Sequence, residues 1–372
     1  MNDPRIRQLA RLLVTHSCNL LPGEKVLIEA INAPIEVITA LIQETTSAGG
    51  IPIVTIKNDQ VIRELCRSYD DEGVRLMAEC ELHTMRQVDA FIGVRGFENI
   101  HELADVPAER MRLVLEHYIR PVHFRQKHDH TKWVALRWPT PAMAQRAEMS
   151  TEAFEDFYFQ ACTLDYVKME AAAEVLSSFL RETDMVHILG PGDTDLRFSI
   201  RGMPHCTYAG RRNVPDGEFF VPPVRDSVNG RIRYNVSSVY YGSTFDDVCF
   251  DFLNGKIIHA ACNDTAKLNE ILNLDEGARY VGEFAFGFNP FIVKPMRDIL
   301  FDEKISGSIH LTPGNAYRNF DNGNRSSIHW DLVLMQTPEM GGGEIYCDNI
   351  LVRKNGLFVL PELRGLNPKN LK

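Results

Sequence analysis

Glu283, Glu303, His310, His329 and Asp331 fall within fifty residues of one another, among glycines, small polar residues and β-branched apolar residues. The stretch reads GEFAFGFNPFI, then ILFDEKISGSIHLTPGNAY, then NRSSIHWD. Carboxylates and imidazoles are hard to bury unless they are paired or bound to a metal. Together these donors suit Zn, Mn, Co or Fe. The region therefore reads as most of a metal site, one holding two ions. Upstream, Glu218 follows the turn NVPDG and opens the apolar run EFFVPP.

Each piece has an ordinary alternative. His329-Trp-Asp331 on a strand would send both side chains to one face, because strand side chains alternate with period two. With 12 His and 50 acidic residues in 372, about one or two His-x-acid pairs arise by chance. His128-Asp-His130 illustrates this: it lies in the polar turn RQKHDHTKW and reads as solvated. His310, in the strand-like Ser308–Thr312, could be a hydrogen-bonded core residue. Glu283, in the apolar run Tyr280–Ala285, is costly there without a partner. Glu218 could be a turn-edge carboxylate in water, Asp302-Glu303-Lys304 a solvated charge cluster, and Tyr317 a core aromatic. Gly341–Gly343 reads as a flexible turn, since no strand-to-helix transition or Lys-Ser/Thr follows it. Other chemistries lack support: the chain has no GxGxxG, P-loop, GxSxG, HExxH or CxxC.

The elements that must position these residues differ between the two halves. Up to about residue 182, helical and strand signals alternate. Helices are expected at 4–20, 34–48, 107–126, 151–163 and 166–182, with more between 57 and 87. Strands are expected at 25–30, 51–56, 89–94 and 133–137. That alternation predicts βαβ units and a mostly parallel sheet. After Asp184 short alternating runs separated by PGD, RGMP, VPDG, VNG and LNGK take over, which predicts antiparallel or mixed β with a few helices. The expected fold class is α/β: an N-terminal α/β domain over 1–185 and a C-terminal mixed α+β domain over 186–372 that carries the metal site.

Composition bounds the partners. With 44% hydrophobic residues the chain can bury a large core. A formal net charge of −10 argues against nucleic acid or an anionic membrane surface as the main partner. No apolar run approaches the roughly 18 residues of a membrane span. The start MNDPRIRQLARLLV reads as an amphipathic helix and lacks the features of a signal peptide. The eight cysteines are spread singly, as in a reduced, cytoplasmic protein.

In order along the chain, the pieces resemble the metallo-aminopeptidases of peptidase family M29. The matching segments are Asn213-Val-Pro-Asp-Gly-Glu218-Phe-Phe-Val-Pro, Gly282-Glu283, Asp302-Glu303-Lys304, His310 through Tyr317, and Asn324 through Asp331. One departure is Thr312-Pro313, where a small apolar pair is usual. The resemblance implies metal ligands at Glu218, Glu283, Glu303, His310, His329 and Asp331, with Glu283 bridging two divalent ions (Zn, Co, Mn or Mg). It implies Tyr317 and Glu283 as catalytic residues, short peptides as substrates and a homodimer enclosing its active sites. Ring-cleaving 2,5-dihydroxypyridine dioxygenases, which hold one Fe(II) on two histidines and a carboxylate, are the rival resemblance. His329 and Asp331 would fit that triad, but a second histidine would be expected where Glu283 stands.

Overall fold

The computed structural model describes residues 3–240 and 242–372. By its internal contacts the chain forms two compact units: Met1–Thr163 with Gly210–Val214, and Leu164–Ala209 with Pro215–Lys372.

The first unit is built on a five-stranded sheet, ordered Ile51–Lys57, Lys25–Ile31, Ala90–Gly96, Lys132–Trp138 and Asn213–Val214. Every pairing in it is parallel. The Lys25–Ile31 strand is buried along nearly its whole length, as its run of Val, Leu and Ile requires when helices cover both faces. Ile51–Lys57 is more open and carries Pro52, which an edge strand tolerates. Helices Ile35–Ser47, Asp59–Ser68, Asp71–Arg86 and Ala108–Val114 connect the strands. Their starts are set by short polar side chains where the sequence supplies them. Asn58 accepts from the amides of Gln60 and Val61, and Asp70 from that of Gly73. The expected long helices at 4–20 and 107–126 form, but each changes to a π-helix, over Leu13–Ser17 and Leu115–Lys127.

The second unit holds an eight-stranded and a five-stranded sheet, both paired antiparallel. The five-stranded sheet runs Leu332–Met335, Ser308–Pro313, Val281–Gly287, Glu218–Val221 and Cys206–Tyr208. Strand texture alone places the domain break after residue 185. The contacts place the helix Tyr166–Arg181 in the second unit instead, against the Cys206–Tyr208 and Glu218–Val221 strands. Tyr166 ties it there, its hydroxyl oxygen accepting from the Asp216 amide at 2.9 Å. Gly210–Val214 returns to the first unit because Asn213 and Val214 extend the parallel sheet. Among the described residues no helix is long and apolar enough to cross a membrane.

Candidate metal centre

The five-stranded sheet explains why charged groups gather at one place. Val281–Gly287 is central and wholly buried. Period-two alternation puts Glu283, Ala285 and Gly287 on one face. Glu218 lies opposite Gly287, His310 opposite Ala285, and Thr312 opposite Glu283. Two of the three central residues are small, so the carboxylate and the imidazole facing them have room above the sheet. Glycine is required at position 287, where a Cβ would come within 2.5 Å of the Ile305 carbonyl and 2.9 Å of that of Glu303. It is required equally at Gly282, where a Cβ would meet the Asn315 carbonyl at 2.5 Å.

That second close approach orients a ligand. The Asn315 carbonyl lies 2.8 Å from His329 Nδ1. Taking the proton there leaves Nε2 as the open nitrogen. His329 Nε2 sits 3.6 Å from Glu283 Oε2 and 3.3 Å from Asp331 Oδ1. His310 Nε2 sits 3.0 Å from Glu283 Oε1 and 3.8 Å from Glu218 Oε2. Each oxygen of Glu283 thus faces a different imidazole. His329 itself lies just before the Leu332–Met335 strand, in an isolated bridge to Gly314.

Glu218, Glu283 and His310 are shut away from water, while His329 and Asp331 are partly open. Glu218 and Glu283 are each 5% exposed and His310 1%. Glu218 Oε2, Glu283 Oε2 and His310 Nδ1 are buried without a hydrogen-bond partner. Ligand atoms of Glu218, Glu283 and His310 lie within 4.8 Å of one another. Orphaned carboxylate oxygens are costly unless a cation completes them. The donor set fits a divalent ion of the Zn, Mn or Co kind.

The electrostatics agree. Burial opposes charge on His310, yet the Glu283 hydrogen bond and the Glu218 and Asp331 carboxylates raise its pKa to about 9. At His329, burial is again outweighed, by Asp331 and Glu283 and the Asn315 carbonyl, and the pKa rises to about 10. Burial also works against Asp331, but His329, His310 and the Thr312 hydroxyl hold its carboxyl well below the usual range. The pocket draws positive charge, which is what a metal would bring.

All seven residues singled out by sequence come to this place. Glu303 arrives differently from the rest. Its Oε1 is 2.7 Å from Lys304 Nζ, and the same ammonium lies 2.6 Å from Glu218 Oε1. Burial raises the Glu303 carboxyl to about 7, Glu218 and Asp331 adding to the effect and Lys304 resisting it. Tyr317 is 40% exposed, yet its ring lies 4.8 Å from that of His329 and 6.0 Å from that of Phe220. The crowding of its hydroxyl and the carboxylates of Glu283, Asp331, Glu303 and Glu218 keep the phenol protonated. His128 pairs with Asp129 at 3.0 Å and its ring lies 5.8 Å from that of Trp133, in the first unit.

Three partners were not legible as functional residues. Lys304 is fully buried, and its adjacency to Glu303 in DEK was the only hint. Thr312 stands where the family pattern has an apolar residue, and its hydroxyl donates to Asp331 at 2.6 Å. Asn315 acts through its backbone, for which side-chain identity gives no signal.

Fold and site together define a candidate metal centre, with buried carboxylates and imidazoles above an antiparallel sheet. The chain belongs to peptidase family M29, described as thermophilic metalloproteases, whose family model matches residues 2–358. It is 23% identical to aminopeptidase T of Thermus aquaticus over 395 residues, 93% of this chain and 94% of that one. It is 32% identical to aminopeptidase 2 of Geobacillus stearothermophilus over 141 residues, 33% of this chain and 34% of that one. The fold is similar to that of AmpT from Thermus thermophilus, with a TM-score of 0.77 at 22% identity, covering 96% of this chain and 99% of that one. It is also similar to 2,5-dihydroxypyridine dioxygenase from Pseudomonas putida, with a TM-score of 0.62 at 11% identity, covering 96% and 98%.

Proposed function

We propose that this protein is a metallo-aminopeptidase that removes single N-terminal residues from short peptides, using two divalent ions bridged by Glu283. The observation that carries this reading is the double-sided position of Glu283, with one oxygen 3.0 Å from His310 and the other 3.6 Å from His329. His310 and Glu218 would hold one ion, and His329 and Asp331 the other. Bound ions would supply Lewis acidity and a water acidic enough to attack an amide near neutral pH.

The protein's own groups do the rest. Tyr317, protonated and partly exposed, would donate a hydrogen bond to the oxyanion of the tetrahedral intermediate. Glu303, whose carboxyl titrates at about 7, can take a proton and return it to the leaving amine near neutral pH. It acts in this reading as a proton carrier tied to Lys304. The surplus of carboxylates favours a substrate whose free α-amine is protonated or metal-bound, which restricts attack to a chain end. The reading includes a homodimer, checked by light scattering of the metal-loaded protein.

The test is to strip the protein with a chelator and add back Zn, Co, Mn and Fe(II) separately. Recovery of leucyl-anilide hydrolysis with two ions per chain supports the reading, and Glu283→Gln should lose both metal and activity. One iron per chain with oxygen uptake on a dihydroxypyridine, and no hydrolysis, would sink it in favour of the dioxygenase.

A further inference from the structure

The first unit contains a cavity of about 1200 Å³ that the metal chemistry does not use. Its floor is one face of the parallel sheet. One row across that face is Thr55, Glu29, Gly93 and Ala135. Two of these four lack bulk; the Phe91 ring fills the space over Gly93, where a Cβ would come within 2.8 Å of it, which leaves Ala135 as the small residue of the row. The next row, at the carboxyl ends of the strands, is Lys57, Ile31, Arg95 and Arg137. The strand order reverses at Lys25–Ile31, which has the second strand on one side and the third on the other. The carboxyl ends at such a reversal are where doubly wound sheets receive ligands.

Charge inside the cavity is separated. Lys57 Nζ lies 2.6 Å from Glu29 and 2.7 Å from Glu81. Two carboxylates share one ammonium there, leaving one negative charge over. The Tyr118 hydroxyl donates to Glu81 at 2.7 Å. Glu29, Glu81 and His123 could converge on a metal, but the Lys57 ammonium already bonds both carboxylates. Arg95 is paired with Asp59 at 2.8 Å. Lys127 has no carboxylate within ion-pair distance among the described residues. Its ammonium sits over the rings of Trp133 and Phe91, at 4.3 and 5.3 Å. Burial pushes its pKa down to about 8, with Arg212 adding and Glu29 opposing. An anion beside it would relieve that cost. Ile62, Leu65, Met77, Met111 and Ile119 supply apolar walls.

We propose that this cavity binds a small zwitterion with an apolar side chain, a free α-amino acid or a short peptide. The ligand's ammonium faces Glu29 and Glu81, its carboxylate faces Lys127, and its side chain lies over Ala135, beside the Phe91 ring. The site is separate from the metal centre and stands or falls without it.

The experiment is isothermal titration calorimetry of the metal-loaded full-length chain. The probes are L-leucine, a leucyl-leucine analogue with a reduced, uncleavable linkage, 4-methylvalerate and isoamylamine. Leucine or the dipeptide analogue should bind saturably, at or below the order of millimolar, and the tighter of the two identifies the source. 4-Methylvalerate and isoamylamine, each lacking one charge, should bind at least about tenfold more weakly. Lys127→Met should weaken binding by a similar factor and Ala135→Leu should abolish it, with leucyl-anilide turnover retained in both. If Ala135→Leu does not fold, Lys127→Met, which leaves the floor intact, decides alone. Absence of binding by both zwitterions overturns the proposal. So does equal binding by 4-methylvalerate and leucine, or unchanged affinity in Lys127→Met, which would place the ligand at the metal centre.

Discussion

Replacing Lys304 by methionine tests the electrostatic logic of the centre most directly. Methionine keeps the length and the apolar stem but removes the ammonium that lies 2.6 Å from Glu218 and 2.7 Å from Glu303. Lys304 is fully buried, so water cannot take its place. Removing one partner of a buried ion pair typically costs about 3–5 kcal/mol, because the other charge is left uncompensated. The metal-free protein can escape part of this by protonating Glu303, whose carboxyl already sits at about 7 against an ordinary 4.5. Without Lys304 that pKa rises further. A carboxyl raised on folding carries no penalty below its unfolded pKa, and the penalty grows as pH climbs to the folded value. The stability deficit of Lys304→Met should therefore be small near pH 5 and widen towards pH 8, by about 1.4 kcal/mol for each unit of added shift. The assay is denaturant unfolding of chelator-treated wild type and variant at both pH values, with metal content and turnover measured in parallel. A variant within about 0.5 kcal/mol of wild type at pH 8, the size of an ordinary surface substitution, would refute the argument that Lys304 holds the two carboxylates in place.

Tyr317→Phe should keep both ions and lower kcat on leucyl-anilide by about 100- to 1000-fold, the usual loss for one oxyanion donor; unchanged kcat with intact metal removes the phenol from the mechanism. Thr312→Val keeps side-chain volume but deletes the donor to Asp331 at 2.6 Å, so metal affinity should fall about 10- to 100-fold, read by competition with a chromogenic chelator. Metal uptake should release protons: with His310 and His329 raised to about 9 and 10, both are protonated at pH 7 and must become neutral to ligate. Up to about two protons should appear at pH 7, and apparent affinity should rise with pH until about 10. Calorimetry in buffers of different ionisation enthalpy measures this, and zero release at pH 7 would show that the imidazoles are already neutral.

Much of this protein is set by local sequence. The alternation of apolar runs and helical periods in the first unit follows directly from side-chain chemistry, and each of its four longer strands forms within a residue or two of its expected bounds. That Glu283, Glu303, His310, His329 and Asp331 share one site was also readable, because carboxylates and imidazoles inside apolar strands need partners, and the family resemblance added Glu218. Tertiary structure alone decided what holds them. Which residues lie opposite Glu218 and His310 depends on register, and register placed Gly287 and Ala285 there. The Asn315 carbonyl reaches His329 only because Gly282 admits its loop. Lys304 looked like one charge in a solvated triplet until folding buried it between two carboxylates. The helix Tyr166–Arg181 carries the period of any amphipathic helix, and that period says which face is buried but not against which unit. Side-chain periodicity is encoded residue by residue, whereas strand pairing, close backbone approach and the neutralisation of buried charge exist only once segments distant in sequence have met.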